Sequence, residues 1–296
     1  MPSINRNKLV EEVRSYAGGQ NSADEPNLIA ANQVSLIENG LVDADGTKIQ
    51  QRLGLTTFYA EAAPSGSDAR VYGLGRLKYN TTQALYRSIS NATNCIIQKL
   101  DATLDGWTNV TGLTTLTKEK STEFIQTIDY LLVLNGGSDN IFSISTANAV
   151  ADLGSTAGSG HPPKGVAGTW HDGRAWVTDT NGALYYSDAL PDFSASGDKW
   201  DQTAQKFTPR TPCLQPMTFR EHELVVYGTD TIESINTLGP QENWEAAIYN
   251  ERIGIAAKRT AKNTGNDQIF LALDGFRLLS RTQFDTVRNG VISENI

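Results

Sequence analysis

The sequence predicts an all-β fold built from repeated hairpin units. Three observations predict it: a composition rich in strand and turn formers, a hairpin pattern recurring at near-constant spacing, and a tryptophan recurring in phase with that pattern. The 296 residues include 30 Thr, 21 Asn and 26 Gly, while hydrophobic residues make up 39% and charged residues 20%. Thr favours strands, and Gly and Asn supply the positive φ angles of tight turns. A helical bundle, a coiled coil or a disordered polyampholyte would need a different composition. The length suits one large β domain or two ordinary ones.

The hairpins begin near residues 84, 130, 174, 223 and 268, giving spacings of 46, 44, 49 and 45 residues. The second unit reads as strand 130–134, an Asn135-Gly136 turn, then strand 141–144. In the third, 174–177 and 183–186 flank Asn181-Gly182; in the fourth, 223–227 and 231–235 flank residues 228–230. The fifth pairs 268–273 with 276–279 across Asp274-Gly275, and a looser first copy uses 84–87 and 95–98. A further strand precedes the first three hairpins, at 69–74, 124–128 and 164–168, and Trp107, Trp200 and Trp244 follow at 23, 26 and 21 residues from their unit starts. Periods of about 40–50 residues with a hairpin in every copy signal a β-propeller with one four-stranded blade per repeat, here five blades. The alternative is an irregular β-sandwich with evenly spaced hairpins, and the phased Trp favours the propeller.

Residues 1–32 read as an N-terminal arm and 33–296 as the propeller domain. In the arm, Leu9, Val13 and Tyr16 share one face of a helix over 7–17 that Gly18-Gly19 ends. It packs either on its own domain or on a neighbouring subunit. Residues 33–38 read as a strand turning at Asn39-Gly40, and 48–59 as another after the Asp45-Gly46 turn. Because the fifth unit ends soon after its hairpin, the strand at 48–55 is expected to clasp the last blade and close the ring.

Formal net charge is −8, with 33 acidic against 25 basic residues, and the densest basic run is Lys258-Arg259 with Lys262 nearby. That balance argues against a protein that grips nucleic acid, which needs cations to displace phosphate counterions. Cys95 and Cys213 are too few for a disulfide scaffold and read as small buried hydrophobes. The first residues lack the apolar core of a signal peptide, and runs such as 130–134 are too short to cross a bilayer. The expectation is a soluble protein made in a reducing cytoplasm, with no membrane insertion.

A search for chemistry gives no catalytic, cofactor-binding or metal site. His161, His171 and His222 match no metal-ligand spacing and read as surface or turn histidines. Asp43-Ala44-Asp45-Gly46 lacks the remaining ligands of a calcium loop. Ser159 lacks the strand–elbow–helix context of a nucleophile, and Gly73-Leu74-Gly75-Arg76 is half of a dinucleotide fingerprint. Ser196-Gly197-Asp198-Lys199-Trp200 has the wrong spacing for an Asp-box.

Several passages carry a family resemblance. Glu38-Asn39-Gly40, Asp45-Gly46-Thr47-Lys48 and Arg52-Leu53-Gly54-Leu55 resemble the opening of bacteriophage tail propeller proteins, the packaged-DNA stabilisation, hub or nozzle proteins of short-tailed phages, with Leu53 where Pro is common. His171-Asp172-Gly173-Arg174-Ala175-Trp176-Val177, followed by Leu184-Tyr185-Tyr186-Ser187-Asp188, is similar to that family's G-R-x-W … Y-x-S-D blade, and residues 219–227 resemble a blade opening. The resemblance implies a non-enzymatic virion component in the tail or head-to-tail connector. It would form a homo-oligomeric ring, contact the portal or adaptor and a tail fibre or spike, and let packaged DNA pass without sequence-specific binding. An acidic wall lets DNA slide without sticking. Recognition of a host glycan, or less so its degradation, is the alternative.

Overall fold

The computed structural model describes residues 70–281 apart from 103–105, 157–159, 196, 198 and 266, and the backbone alone of 40–42, 49–51, 281 and 287–291. The expected helix at 7–17 and strand at 33–38 lie outside these residues. The chain divides into two units, residues 1–58 with 291–296, and residues 59–290. In the first, Gly40–Val42 pairs antiparallel with Ile49–Gln51.

Between Val71 and Val291 lie five four-stranded antiparallel sheets, each a meander whose strands follow one another in sequence. The first comprises Val71–Tyr79, Thr82–Ser90, Cys95–Leu100 and Trp107–Asn109; the second, Thr122–Gln126, Tyr130–Asn135, Phe142–Ser145 and Val150–Asp152. The third comprises Ala167–His171, Arg174–Thr178, Leu184–Tyr186 and Lys206–Phe207; the fourth, Gln215–Arg220, Glu223–Tyr227, Ile232–Asn236 and Ala246–Asn250. The fifth comprises Lys262–Asn263, Gln268–Ala272, Gly275–Arg281 and Val287–Val291. Each hairpin read from the sequence forms the second and third strands of one sheet. First strands of successive sheets lie side by side from the first sheet to the fourth, the arrangement of a propeller.

The second strands explain why the sequence shows continuous apolar runs here. A strand sends alternate side chains to opposite faces, and a blade is covered on both. Leu132 and Leu134 pack with Ala175, Val177 and Tyr185 of the third sheet, while Leu131 and Val133 pack with Leu77, Tyr86 and Ile97 of the first. Leu224 and Val226 likewise join Trp176 and Tyr186, whereas Val225 and Tyr227 join Phe270 and Leu279. Four buried clusters thus join the five sheets in order. Burying a side chain of this size contributes roughly 1.5–3 kcal/mol.

Polar ties run between the same sheets. The Ser88 hydroxyl meets Thr122 Oγ1 at 2.6 Å, which donates to Asn135 Oδ1, whose Nδ2 donates to Asp139 at 2.6 Å. Gln126 bonds both the N–H and the carbonyl of Lys78, Thr218 Oγ1 donates to the Trp170 carbonyl, and Gln268 Nε2 donates to the Thr218 carbonyl. Gly75 permits the close approach of Phe124, whose ring occupies the place a Cβ would take.

The expected clasp of the last blade by residues 48–55 is corrected. The fifth sheet takes its fourth strand from Val287–Val291, and the described part of the other segment, Ile49–Gln51, pairs with Gly40–Val42. Both pairings join segments close in sequence, which costs less loop-closure entropy than a pairing across the whole chain. Cys95 and Cys213 are free and buried, as expected. Among the described residues no helix is long and apolar enough to cross a membrane.

Candidate functional site

In a four-stranded meander the first-to-second and third-to-fourth connections lie at one end, called here the head face, and the second-to-third turns at the other, the foot face. The G-R-x-W … Y-x-S-D residues gather toward the head of the third sheet. Gly173, at φ 71°, turns the chain into Arg174, whose Nη1 donates to the Ser187 carbonyl at 2.6 Å. Ser187 Oγ accepts from Ala175 N–H and donates to the Asp188 carbonyl, and Asp188 Oδ1 accepts from Gln205 Nε2. Trp176 is fully buried and lies 4.8 Å from Tyr186 and 5.7 Å from Trp244 between ring centroids, with the Arg174 guanidinium over Trp244 at 5.4 Å. The motif residues therefore hold one another.

Beside this stack the structure corrects the reading of His171 as a surface or turn histidine. His171 is 1% exposed, and burial pushes its imidazole down to about 4, against the upward pull of Asp172. It is therefore neutral, and its Nε2–H meets Thr237 Oγ1 at 3.1 Å. Thr237 donates to Asp172 Oδ2 at 2.9 Å, which also takes His222 Nδ1 at 3.2 Å. The buried His171 Nδ1 has no hydrogen-bond partner. This chain links a turn of the third sheet, where Asp172 sits at φ 48°, to the fourth. Sequence spacing gave no sign of it, because its members come from two sheets. His161 lies apart, its Nδ1 2.7 Å from the Leu153 carbonyl. Asp43, Asp45, Ser159, Ser196 and Asp198 lie outside the described residues, among which no His, Cys, Asp and Glu cluster suits a metal ion.

A second cluster lies at the inner strands. Glu123, from the first strand of the second sheet, pairs with Arg259 Nε at 3.5 Å and accepts from Gly168 N–H of the third sheet. Arg259 Nη1 donates to the Tyr72 carbonyl of the first sheet, and Arg259 itself leads into the fifth. Burial pushes the Glu123 carboxyl up, while Arg259 and Lys262 pull it down. Arg259 adopts φ 68°, a left-handed conformation costly for a non-glycine residue, and its Nη2 is buried without a hydrogen-bond partner. Two members of the basic run seen in the sequence thus surround a single inner carboxylate.

The head face also carries a groove of about 390 Å³ between the second and third sheets, lined by Ile128, Asp129, Tyr130, Trp170, Leu190 and Asp192, among others. Tyr130 donates to Asp192 at 2.7 Å, which pushes the phenol up to about 12 and holds the carboxyl below its usual range.

No protein-family model and no curated protein matches the chain. Solved structures do resemble it. Virginiamycin B lyase from Staphylococcus aureus superposes with a TM-score of 0.51 at 11% identity, over 78% of this chain and 73% of that chain. A streptogramin B lyase gives 0.48 at 14% over 86% and 75%, and the WD40 β-propeller domain of Doa1 gives 0.44 at 13% over 79% and 73%. Likeness at such identity shows the fold alone. The five meander sheets, the first four of which set their first strands side by side, together with the first of these likenesses show that the chain has a β-propeller fold.

Proposed function

We propose that the protein is a non-enzymatic structural subunit of a bacteriophage virion, in the tail or head-to-tail connector. In this reading it forms a ring that extends the DNA channel and helps retain the packaged genome. The observation that carries the reading is that the residues underlying the family resemblance hold one another, with Arg174, Ser187 and Asp188 joined by hydrogen bonds and Trp176 packed on Tyr186. They build a blade rather than a reaction centre, which suits a scaffold. The inner Glu123–Arg259 pair ties residues of four sheets together, so DNA would run through the bore of the subunit ring rather than along the propeller's own axis. The acidic balance suits that sliding contact.

The test is mass spectrometry and density mapping of purified particles. The chain should be present in a fixed copy number at the tail or connector; particles that lack it refute the proposal. The glycan-binding alternative expects tryptophans exposed on one face, and Trp176, Trp200 and Trp244 are buried. Half-buried Trp170 beside Asp129 and Asp192 is what favours it, and retention of the protein on host polysaccharide would decide for it.

A further inference from the structure

Buried apolar clusters seal the first sheet to the second, the second to the third, the third to the fourth and the fourth to the fifth. Among the described residues none seals the fifth sheet back to the first. The first sheet nevertheless carries apolar residues on the face turned from the second. Val71 pairs with Ile89 and Ile89 with Ile96, and they alternate with Tyr86, Ser88 and Ile97, which face the second sheet. Leu74 and Leu85 share the outward face, and Val71, Leu74 and Leu85 are 50%, 66% and 37% exposed. On the fifth sheet Ile269 pairs with Leu278, opposite the face that Phe270 and Leu279 turn to the fourth.

Among the described residues, the hydrogen bond that crosses from the fifth sheet's side to the first comes from Arg259. Its linker is fastened to the fifth sheet by the bond from Ala256 N–H to the Leu271 carbonyl and by Ala261, which is buried with Phe270. From there Nη1 reaches the Tyr72 carbonyl of the first sheet at 3.4 Å, and Nε reaches Glu123 of the second at 3.5 Å. The grip is incomplete. Nη2 is buried without a partner, so a guanidinium released to water gains a hydrogen bond that it lacks in place. The backbone φ of 68° adds strain to the closed arrangement. A seam held by a strained polar contact opens at lower free energy than interfaces sealed by apolar clusters.

We propose that the propeller opens locally between its fifth and first sheets, and that Arg259 is the latch that holds this seam shut. Opening of this kind is a property of the fold and is independent of the virion reading.

Ile89, 4% exposed on the seam side, reports the opening when replaced by cysteine. Native Cys95 and Cys213 lie in the first–second and third–fourth clusters, so they report the sealed interfaces of the same molecule. Rates of reaction with a thiol reagent under native conditions are compared with those in denaturant. In the Ile89→Cys protein the introduced thiol should be modified about tenfold faster than either native one. Adding Arg259→Ala should speed it about tenfold again, because opening then breaks no Arg259 contact. Glu123→Gln, which removes the charge and keeps the shape, should act in the same sense and serves if the alanine variant does not fold. Either of two results overturns the proposal. The introduced thiol reacts no faster than Cys95 and Cys213, so the seam opens only when the whole chain unfolds; or Arg259→Ala and Glu123→Gln leave its rate unchanged, so the seam opens without releasing the latch.

Discussion

Arg259→Ala separates the two costs held at the inner cluster. The substitution removes the cation 3.5 Å from Glu123 and the donor to the Tyr72 carbonyl. Leaving a fully buried partner uncompensated costs about 3–5 kcal/mol, and a surface pair is worth about 0–1. The two side chains are 32% and 18% exposed, which places the loss between these limits, at about 2 kcal/mol. Alanine keeps the strain of φ 68°, whereas Arg259→Gly relieves it. After the greater freedom of glycine in the unfolded chain is offset, Arg259→Gly should be more stable than Arg259→Ala by about 1 kcal/mol. In thermal unfolding these figures correspond to midpoints lower by about 6 °C for alanine and about 3 °C for glycine. The carboxyl of Glu123 already lies above its usual range, and loss of Arg259 raises it further. A raised carboxyl favours the protonated fold, so the lost stability appears as pH rises through its range and recovers below it. The alanine variant should therefore lie closer to wild type at pH 4.5 than at pH 7.5. A glycine variant less stable than alanine, or deficits equal at both pH values, refutes the reasoning.

Other outcomes follow from the same structure. His171, lowered from 6.5 to about 4, binds fewer protons folded than unfolded, so stability is lost as pH falls through that window, by about 3 kcal/mol from this residue. His171→Gln should flatten that part of the urea-midpoint profile. Trp244→Ala opens a void against Trp176 and Tyr186 and should cost about 3–5 kcal/mol, measured by chemical unfolding. Burial raises the thiols of both Cys95 and Cys213, so a thiol reagent should label neither in the native protein and both in denaturant.

The central hairpins were legible because a strand covered on both faces must be apolar throughout, and Asn-Gly or Asp-Gly marks its turn. Outer strands lack that signature. Val287–Val291 carries Arg288, Asn289 and Gly290, so its composition does not mark it as a closing strand, whereas residues 48–55 do read as one. The histidine chain was hidden because Asp172 and His222 stand 50 residues apart and meet only when two sheets pack. Arg259 was visible as part of a basic run, but its left-handed backbone and its partner on another sheet were not.

The sequential meander of each sheet has a kinetic consequence. Within a blade every strand pairs with its neighbour in the chain, so the loops closed during folding are short even though the described residues are almost all strand and turn. The apolar clusters then join each sheet to the one synthesised before it. The nascent chain can lay down blades in order as it leaves the ribosome, each new sheet covering the open face of the last, before the final strand is made.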